Sequence, residues 1–159
     1  MTGPLTLFDK PNSYIGKTVP RPDARRLAEG RGRFVDDKQL PRMVHAAFLR
    51  SPYAHAEISL LDVSEAREAP GVVAVYTGAD LAAVVEPYVG VLTHLAGLRS
   101  PPQHPIAIDR VRWQGEPVAM VIASSRAEAE DAAERIVVEF EELPALTDAE
   151  AALEPRAPR

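Results

Sequence analysis

The sequence predicts an α+β domain in which helices pack on a mixed sheet, and two observations predict it. From Val111 to Glu141 the chain reads VRWQGEPVAMVIASSRAEAEDAAERIVVEFE, which orders as strand, turn, strand, helix, strand. The same order of elements occurs earlier, starting at Met43. The two stretches are not alike enough in residues to establish a repeat. Two such units with helices between their strands nevertheless imply helices laid on a sheet.

Taken in order, residues 1 to 20 show little periodicity and contain Pro4, Pro11 and Pro20. They read as an extended arm whose Leu5, Leu7, Phe8, Tyr14 and Ile15 would lie on this domain or on a neighbour. Pro22 to Glu29 suits a short helix, with Asp23 in its first turn and Gly30 as its stop. Gly30-Arg31-Gly32 looks like part of a phosphate-binding loop, but no strand precedes it and no third glycine opens a helix, so a turn is the expectation. Phe34 to Leu40 is a polar turn. Asp36 and Asp37, as neighbours, point different ways and suit turn chemistry or a salt bridge to an arginine rather than a convergent acid/base pair.

Met43 to Arg50 reads as a strand that Ser51-Pro52 interrupts, since proline donates nothing to a ladder. Ala56 to Leu61 is a second strand. Asp62 is expected to cap a helix over Val63 to Glu68 with Glu65 completing the capping box, and Pro70-Gly71 to end it. Val72 to Tyr76 is a third strand, and Thr77 caps a helix from Gly78 to about Val84. Residues 86 to 108 form a long irregular loop with Pro87, Gly90, Gly97, Pro101, Pro102 and Pro105. A loop of that length inside a compact domain is usually functional or a contact surface.

Val111 to Gln114 alternates as a half-buried strand, and Gly115 and Glu116 turn the chain. Pro117 to Ala123 is apolar at almost every position, as a strand buried on both faces would be. Ser125 and Glu128 have the capping-box spacing. Ala129, Ala132, Ala133, Ile136 and Val137 then make the apolar stripe of a helix, its alanines allowing close approach to a sheet. Glu128, Glu130, Asp131, Glu134 and Arg135 read as its solvated face. Val137 to Phe140 returns as a strand. A last strand over Leu143 to Leu146 and a short helix capped by Thr147 or Asp148 and running to Leu153 are expected before an untethered tail. The organisation is thus an arm (1–20), a domain (21–153) and a tail (154–159).

The 159 residues suffice for one domain with its own core. A net charge of −5 without a basic stripe argues against nucleic-acid binding. The chain has no cysteine, which removes disulfides, iron–sulfur ligation and thiolate zinc sites. No apolar run is long enough to span a membrane, and the first residues lack the pattern of a signal peptide, so the cytoplasm is the default location.

His45, His55, His94 and His104 fall in pairs ten residues apart, which is no recognised ligand spacing. His45 and His55 would approach if their strands were adjacent, but a metal site needs three or four ligands and the rest are not evident. No Ser/His/Asp arrangement has the context of a nucleophile. Trp113 and Tyr53 read as packing residues. Arg50 and Glu116 each stand at a strand end beside a proline, either solvated or reaching into an interface.

A resemblance adds to this reading. The run MVHAAFLRSPYAHAEISLLDVSEAREAPGVVAVYTGADL, Met43 to Leu81, resembles the N-terminal a/b-hammerhead domain of the molybdopterin-binding large subunit in the xanthine dehydrogenase/aldehyde oxidase family. It is most similar to the aerobic carbon monoxide dehydrogenase large-subunit branch. The pieces that carry it are Arg50-Ser51-Pro52, Ala54-His55-Ala56, Asp62-Val63-Ser64, Pro70-Gly71-Val72 and Thr77 to Leu81. Ile15 to Asp37, VRWQGEPVAMVIA and AEDAAERIVVEFEELP extend the resemblance over roughly Tyr14 to Leu153. Tyr53 stands where many relatives have a histidine, and Arg42 where a glycine often follows Pro41, which leaves the turn geometry there open.

In that family the molybdenum cofactor and the catalytic glutamate belong to domains beyond this one. The resemblance therefore implies no catalytic, metal or cofactor-binding residue here and no cofactor bound by this chain alone. It implies molybdopterin in an assembled oxidoreductase, and a structural domain or split subunit that braces the molybdopterin-bearing domains. FAD and iron–sulfur subunits are further candidate partners; nucleic acid and a membrane span are not expected. The alternative is a free-standing hammerhead module without enzymatic activity. Arg50, His55, Arg112 and Glu116, which flank the turns closing each unit, are the candidate interface residues.

Overall fold

The computed structural model describes residue 14 and residues 17–157, apart from 91, 93 and 99. The expected arm contacts at Leu5, Leu7, Phe8 and Ile15 lie outside these. The chain divides into two compact segments, residues 1–41 and 42–159. The first holds helix α1 (Ala24–Ala28), closed at Gly30 in a left-handed conformation with Arg31 N–H returning to the Arg26 carbonyl. It also holds a 3-10 turn over Val35–Asp37, in which the Asp37 carboxylate accepts the Phe34 N–H at 2.9 Å. Asp37 thus does turn chemistry, one of the two roles open to it.

The second segment carries strands β1 (His45–Arg50) and β2 (Ala56–Asp62), helix α2 (Ser64–Arg67), strand β3 (Val72–Thr77) and helix α3 (Gly78–Ala82). Strands β4 (Arg110–Val111) and β5 (Pro117–Ala123), helix α4 (Arg126–Ala133) and strand β6 (Val137–Glu142) follow. The α+β class and the twofold order of elements are as expected.

The sheet arrangement differs. Two three-stranded sheets form, β1-β5-β3 and β4-β2-β6, and every pairing is antiparallel. The strands joined by each tight turn separate into different sheets. Each half of the segment supplies the central strand of the other half's sheet, so neither half completes a sheet alone. Pairing of this kind crosses the whole sequence and leaves no trace in local periodicity.

Four other local expectations are corrected. The strand expected at 111–114 ends at Val111, because residues 112–116 are already turning. Asp62 accepts the Ser64 N–H at 2.9 Å, yet helix α2 begins after Val63, and Glu65 closes no capping box. No strand forms at 143–146, and in place of the expected helix a 3-10 turn forms over Ala151–Leu153, with Asp148 accepting the Glu150 N–H. Helix α4 ends at Ala133, so the helical stripe stops there: Ile136 is buried beyond the helix end, and Val137 belongs to β6 and is half exposed.

The core has two parts. Ala66 of α2 and Ala132 and Ala133 of α4 lie against Val75, Ala119 and Val121 of the first sheet, together with Ile136. Alanines on the helix faces let the helices sit close to the strands, as their spacing suggested. Ala56, Val111 and Val118 gather with Ala107 beneath Ile58, Val138 and Phe140 of the second sheet. Val118 comes from β5, so the central strand of one sheet fills the core of the other. In β2 the register shifts between Ile58 and Leu60, which moves the inward positions from Ala56 and Ile58 to Leu61.

Two glycines hold close contacts. A Cβ on Gly78 would stand 2.1 Å from the Ala107 carbonyl oxygen, so only glycine lets α3 meet the end of the long loop. Gly71 has φ +75 and faces the Glu128 carboxylate. That carboxylate also accepts the hydroxyls of Ser124 and Ser125, which hold it below the usual glutamate range. The Ser125 hydroxyl in turn accepts the Glu128 N–H and caps α4.

Candidate functional site

The tight turns of the two halves meet at one corner of the second segment. Ser51 N–H donates to the Glu116 carbonyl and Gly115 N–H to the Ser51 carbonyl, both at 2.9 Å. Gly115, with φ +88, supplies the left-handed step. Ser51 is buried and ties its hydroxyl to the Tyr53 backbone. Two separated sequence features, Arg50-Ser51-Pro52 and Gly115-Glu116-Pro117, are thus halves of one joint.

Glu116 is buried, with 3% of its surface exposed. Its carboxylate accepts the backbone N–H groups of Arg112 and Trp113. Burial pushes this carboxyl above the ordinary glutamate range, while the Arg112 N–H, the Arg112 charge and the Trp113 N–H pull partly back. The side chain is therefore placed to hold the 112–116 turn from inside.

The other three candidates face outward to different degrees. Arg50 is exposed; its guanidinium donates to the Gly115 carbonyl at 2.9 Å and lies 5.4 Å from the Phe48 ring centre. His55 is half-buried and its Nδ1 sits 2.8 Å from the Pro144 carbonyl, which makes that nitrogen the donor. With Leu143 N–H on the His55 carbonyl, it anchors the chain leaving β6. Arg112 is exposed, donating to the Arg110 carbonyl at 2.9 Å and standing 3.9 Å from Asp109.

Two open clefts flank the corner. One, of about 380 Å3, is lined by His55, Arg112, Trp113 and the 144–147 stretch. The other, of about 470 Å3, lies between Arg50, Trp113 and the long loop at Glu86, Tyr88, Gln103 and His104. Trp113 lines both and is 41% exposed. Sequence reasoning put it in a strand as a packing residue and so missed it. The available signal was a large aromatic beside the Gly115 turn. Tyr53 does pack, its ring 5.4 Å from Phe140 and tilted against it.

The long loop is closed at its neck. Tyr88 and Gln103 exchange backbone hydrogen bonds of 2.8 Å each, and Gly90 N–H donates to the Ser100 hydroxyl. Ile106 and Ala107 are buried, with Ala107 N–H on the Pro117 carbonyl. Beyond the neck, Val89, Leu92, Leu95 and Leu98 are exposed.

His45 and His55 are not brought together across neighbouring strands, since β1 and β2 lie in different sheets. Among the described residues no group of three or more His, Asp or Glu side chains is arranged to hold a metal ion. Arg50, His55 and Arg112 each commit one nitrogen to a carbonyl of this chain, and among the described residues His104 Nδ1 is the buried side-chain nitrogen left without a partner. No described helix is long and apolar enough to cross a membrane.

Residues 29–144 match the family described as aldehyde oxidase and xanthine dehydrogenase, a/b hammerhead domain. The chain is 40% identical over 152 residues to the nicotine 6-hydroxylase large subunit of Paenarthrobacter nicotinovorans, covering 89% of this chain and 18% of that protein. It is 41% identical over 133 residues to the carbon monoxide dehydrogenase large chain of Afipia carboxidovorans, covering 84% of this chain and 16% of the relative. The crystal structure of quinoline 2-oxidoreductase from Pseudomonas putida 86 superposes with a TM-score of 0.79 at 48% identity, over 89% of this chain and 18% of that one. The chain thus spans less than a fifth of the length of the relatives it matches.

Proposed function

The chain belongs to the aldehyde oxidase and xanthine dehydrogenase a/b hammerhead family, and from that premise we propose that it is the bracing domain, or a split subunit, of a molybdenum hydroxylase. Its partner is the polypeptide, or the part of the same polypeptide, that carries molybdopterin. The assembled enzyme hydroxylates a small molecule such as an aldehyde or N-heterocycle with oxygen from water, or oxidises carbon monoxide. This chain holds the cofactor-bearing domains in place and contributes no group to the chemistry.

The observation that carries this reading is the share matched: one domain's worth of much longer large subunits. The exposed leucines of the long loop and the corner residues Arg50, His55, Arg112 and Trp113 supply the docking surface. Glu116 serves that surface from within, by holding the turn that carries Arg112 and Trp113.

The test is affinity purification of the tagged chain from its native host, followed by native mass and molybdenum content of the eluate. A stoichiometric larger partner with molybdenum is expected. A monomer of about 17.3 kDa without molybdenum would overturn the reading in favour of a free-standing module.

A further inference from the structure

Among the described residues, the first sheet ends at β1, whose outer side pairs with no other strand. Ser51 turns both its N–H and its carbonyl toward the 115–116 turn that leads into β5. Backbone groups alternate along a strand, so Leu49, Ala47 and His45 also face β5, while Arg50, Phe48 and Ala46 point away from it. The opposite edge gives an independent check. Thr77 N–H points away from β5 to the Asp80 carboxylate at 2.8 Å, which leaves Tyr76 and Ala74 to bond Met120 and Ile122. Ala119, Val121 and Ala123 are then free to bond β1 in the observed register. The outward N–H and carbonyl groups of Ala46, Phe48 and Arg50 have no backbone partner among the described residues.

The two edges are not equivalent. On β3 the register breaks between Val72 and Ala74, and Asp80 occupies the Thr77 N–H. Such features blunt an edge against pairing. On β1 the irregularity between Leu49 and Arg50 places its extra residue on β5, so the outward side of β1 stays regular. A groove of about 250 Å3 runs beside it, lined by residues 47–50 and by Glu130, Ala133 and Glu134 of α4. Glu130 is paired with Arg126 at 2.8 Å, and Arg50 is turned to Gly115. Glu134 has no ion-pair partner among the described residues.

We propose that the open edge of β1 is a strand-addition site for an extended segment of a partner polypeptide carrying a lysine or arginine toward Glu134. Main-chain pairing supplies the attraction and the α4 carboxylates select the side chains. A second copy of this chain is the disfavoured occupant. Pairing two β1 strands about Phe48 would satisfy Ala46, Phe48 and Arg50, but it would set two α4 helices side by side with Glu130 and Glu134 facing their own counterparts. The inference goes beyond the bracing function, because it needs only the free edge and the acidic helix, whichever polypeptide brings the strand.

The test uses the full chain and two end-blocked hexapeptides, one alternating lysine with valine and one alternating glutamate with valine. Fluorescence anisotropy should show saturable binding of the lysine peptide and at least about tenfold weaker binding of the glutamate peptide. Bound lysine peptide should slow amide exchange at Ala46, Phe48 and Arg50, on the order of tenfold or more, and leave Ala47 and Leu49 unchanged. Glu134→Lys should reverse the peptide preference. Phe48→Pro removes an outward N–H without touching the β5 pairing and should abolish binding. If that variant fails to melt cooperatively, the Glu134→Lys reversal decides alone. Equal binding of both peptides, or no slowing at those three amides, overturns the proposal. So does slowing at them that rises with protein concentration alone, alongside a dimer in sedimentation, since the occupant is then a second copy.

Discussion

Replacing Glu116 by alanine tests whether this residue holds the corner or meets a partner. In the structure its buried carboxylate accepts the N–H groups of Arg112 and Trp113. Hydrogen bonds to a charged acceptor contribute about 1.5–3 kcal/mol each. Removing the carboxylate also removes the cost of burying it, which offsets part of that sum. The expected net loss is about 2 kcal/mol, which for a domain of this size lowers Tm by roughly 8 °C. The assay is thermal melting of the isolated chain by circular dichroism, with Glu116→Gln beside it. Glutamine keeps one acceptor and should lose about half as much. The pH dependence adds a second readout. Because burial raises this carboxyl's pKa in the folded state, the folded chain holds the proton more firmly than the unfolded one. The associated stability is present below the ordinary glutamate value and is lost as pH rises through the raised one. Glu116→Gln should flatten that slope. An unchanged Tm in Glu116→Ala, together with an unchanged slope in Glu116→Gln, would refute the brace and return Glu116 to the interface.

Three further outcomes follow from single contacts. Gly78→Ala drives a Cβ into the Ala107 carbonyl and should cost about 3 kcal/mol in a denaturant melt, because the obstacle is backbone. Arg42 has φ +62, a left-handed conformation that costs an L-residue about 1–2 kcal/mol. Arg42→Gly should therefore stabilise the chain by about 0.5 kcal/mol after glycine's entropic cost, seen as a higher denaturation midpoint at constant m. Asp80 accepts the Thr77 N–H and hydroxyl, which hold its carboxyl below the usual aspartate range. Its contribution is present above that range and is lost as pH falls through the lowered value. Acid unfolding of Asp80→Asn should accordingly show a shallower pH dependence.

Much of the fold is legible because its signals are local. Ser125 and Glu128 start α4, Thr77 starts α3, and the unbroken apolar run from Pro117 to Ala123 is a strand buried on both sides. The Arg42 anomaly was also visible, as an L-residue where relatives often carry glycine, and the backbone there adopts the geometry that glycine favours. Trp113 was misplaced because alternation over Val111 to Gln114 has the same period in a two-residue strand followed by a turn as in a longer strand.

Among the candidate interface residues, the position of each was legible but its exposure was not. Arg50, His55, Arg112 and Glu116 were chosen for standing at turn ends, and the structure gathers them at one corner. Whether a charge at such an end points outward or inward depends on which backbone groups need an acceptor. The 112–116 turn leaves two N–H groups facing the interior, and Glu116 follows them in.

The sequence by itself determined where most elements lie and the twofold order in which they come, because capping, turn chemistry and apolar periodicity act over a few residues, while several element ends shifted on folding. Only the tertiary structure decided which strands pair. The choice that parts the turn-linked strands and threads β5 between β1 and β3, and β2 between β4 and β6, is a sum of contacts between residues dozens of positions apart. The same long-range choice leaves the outer side of β1 without a strand partner among the described residues.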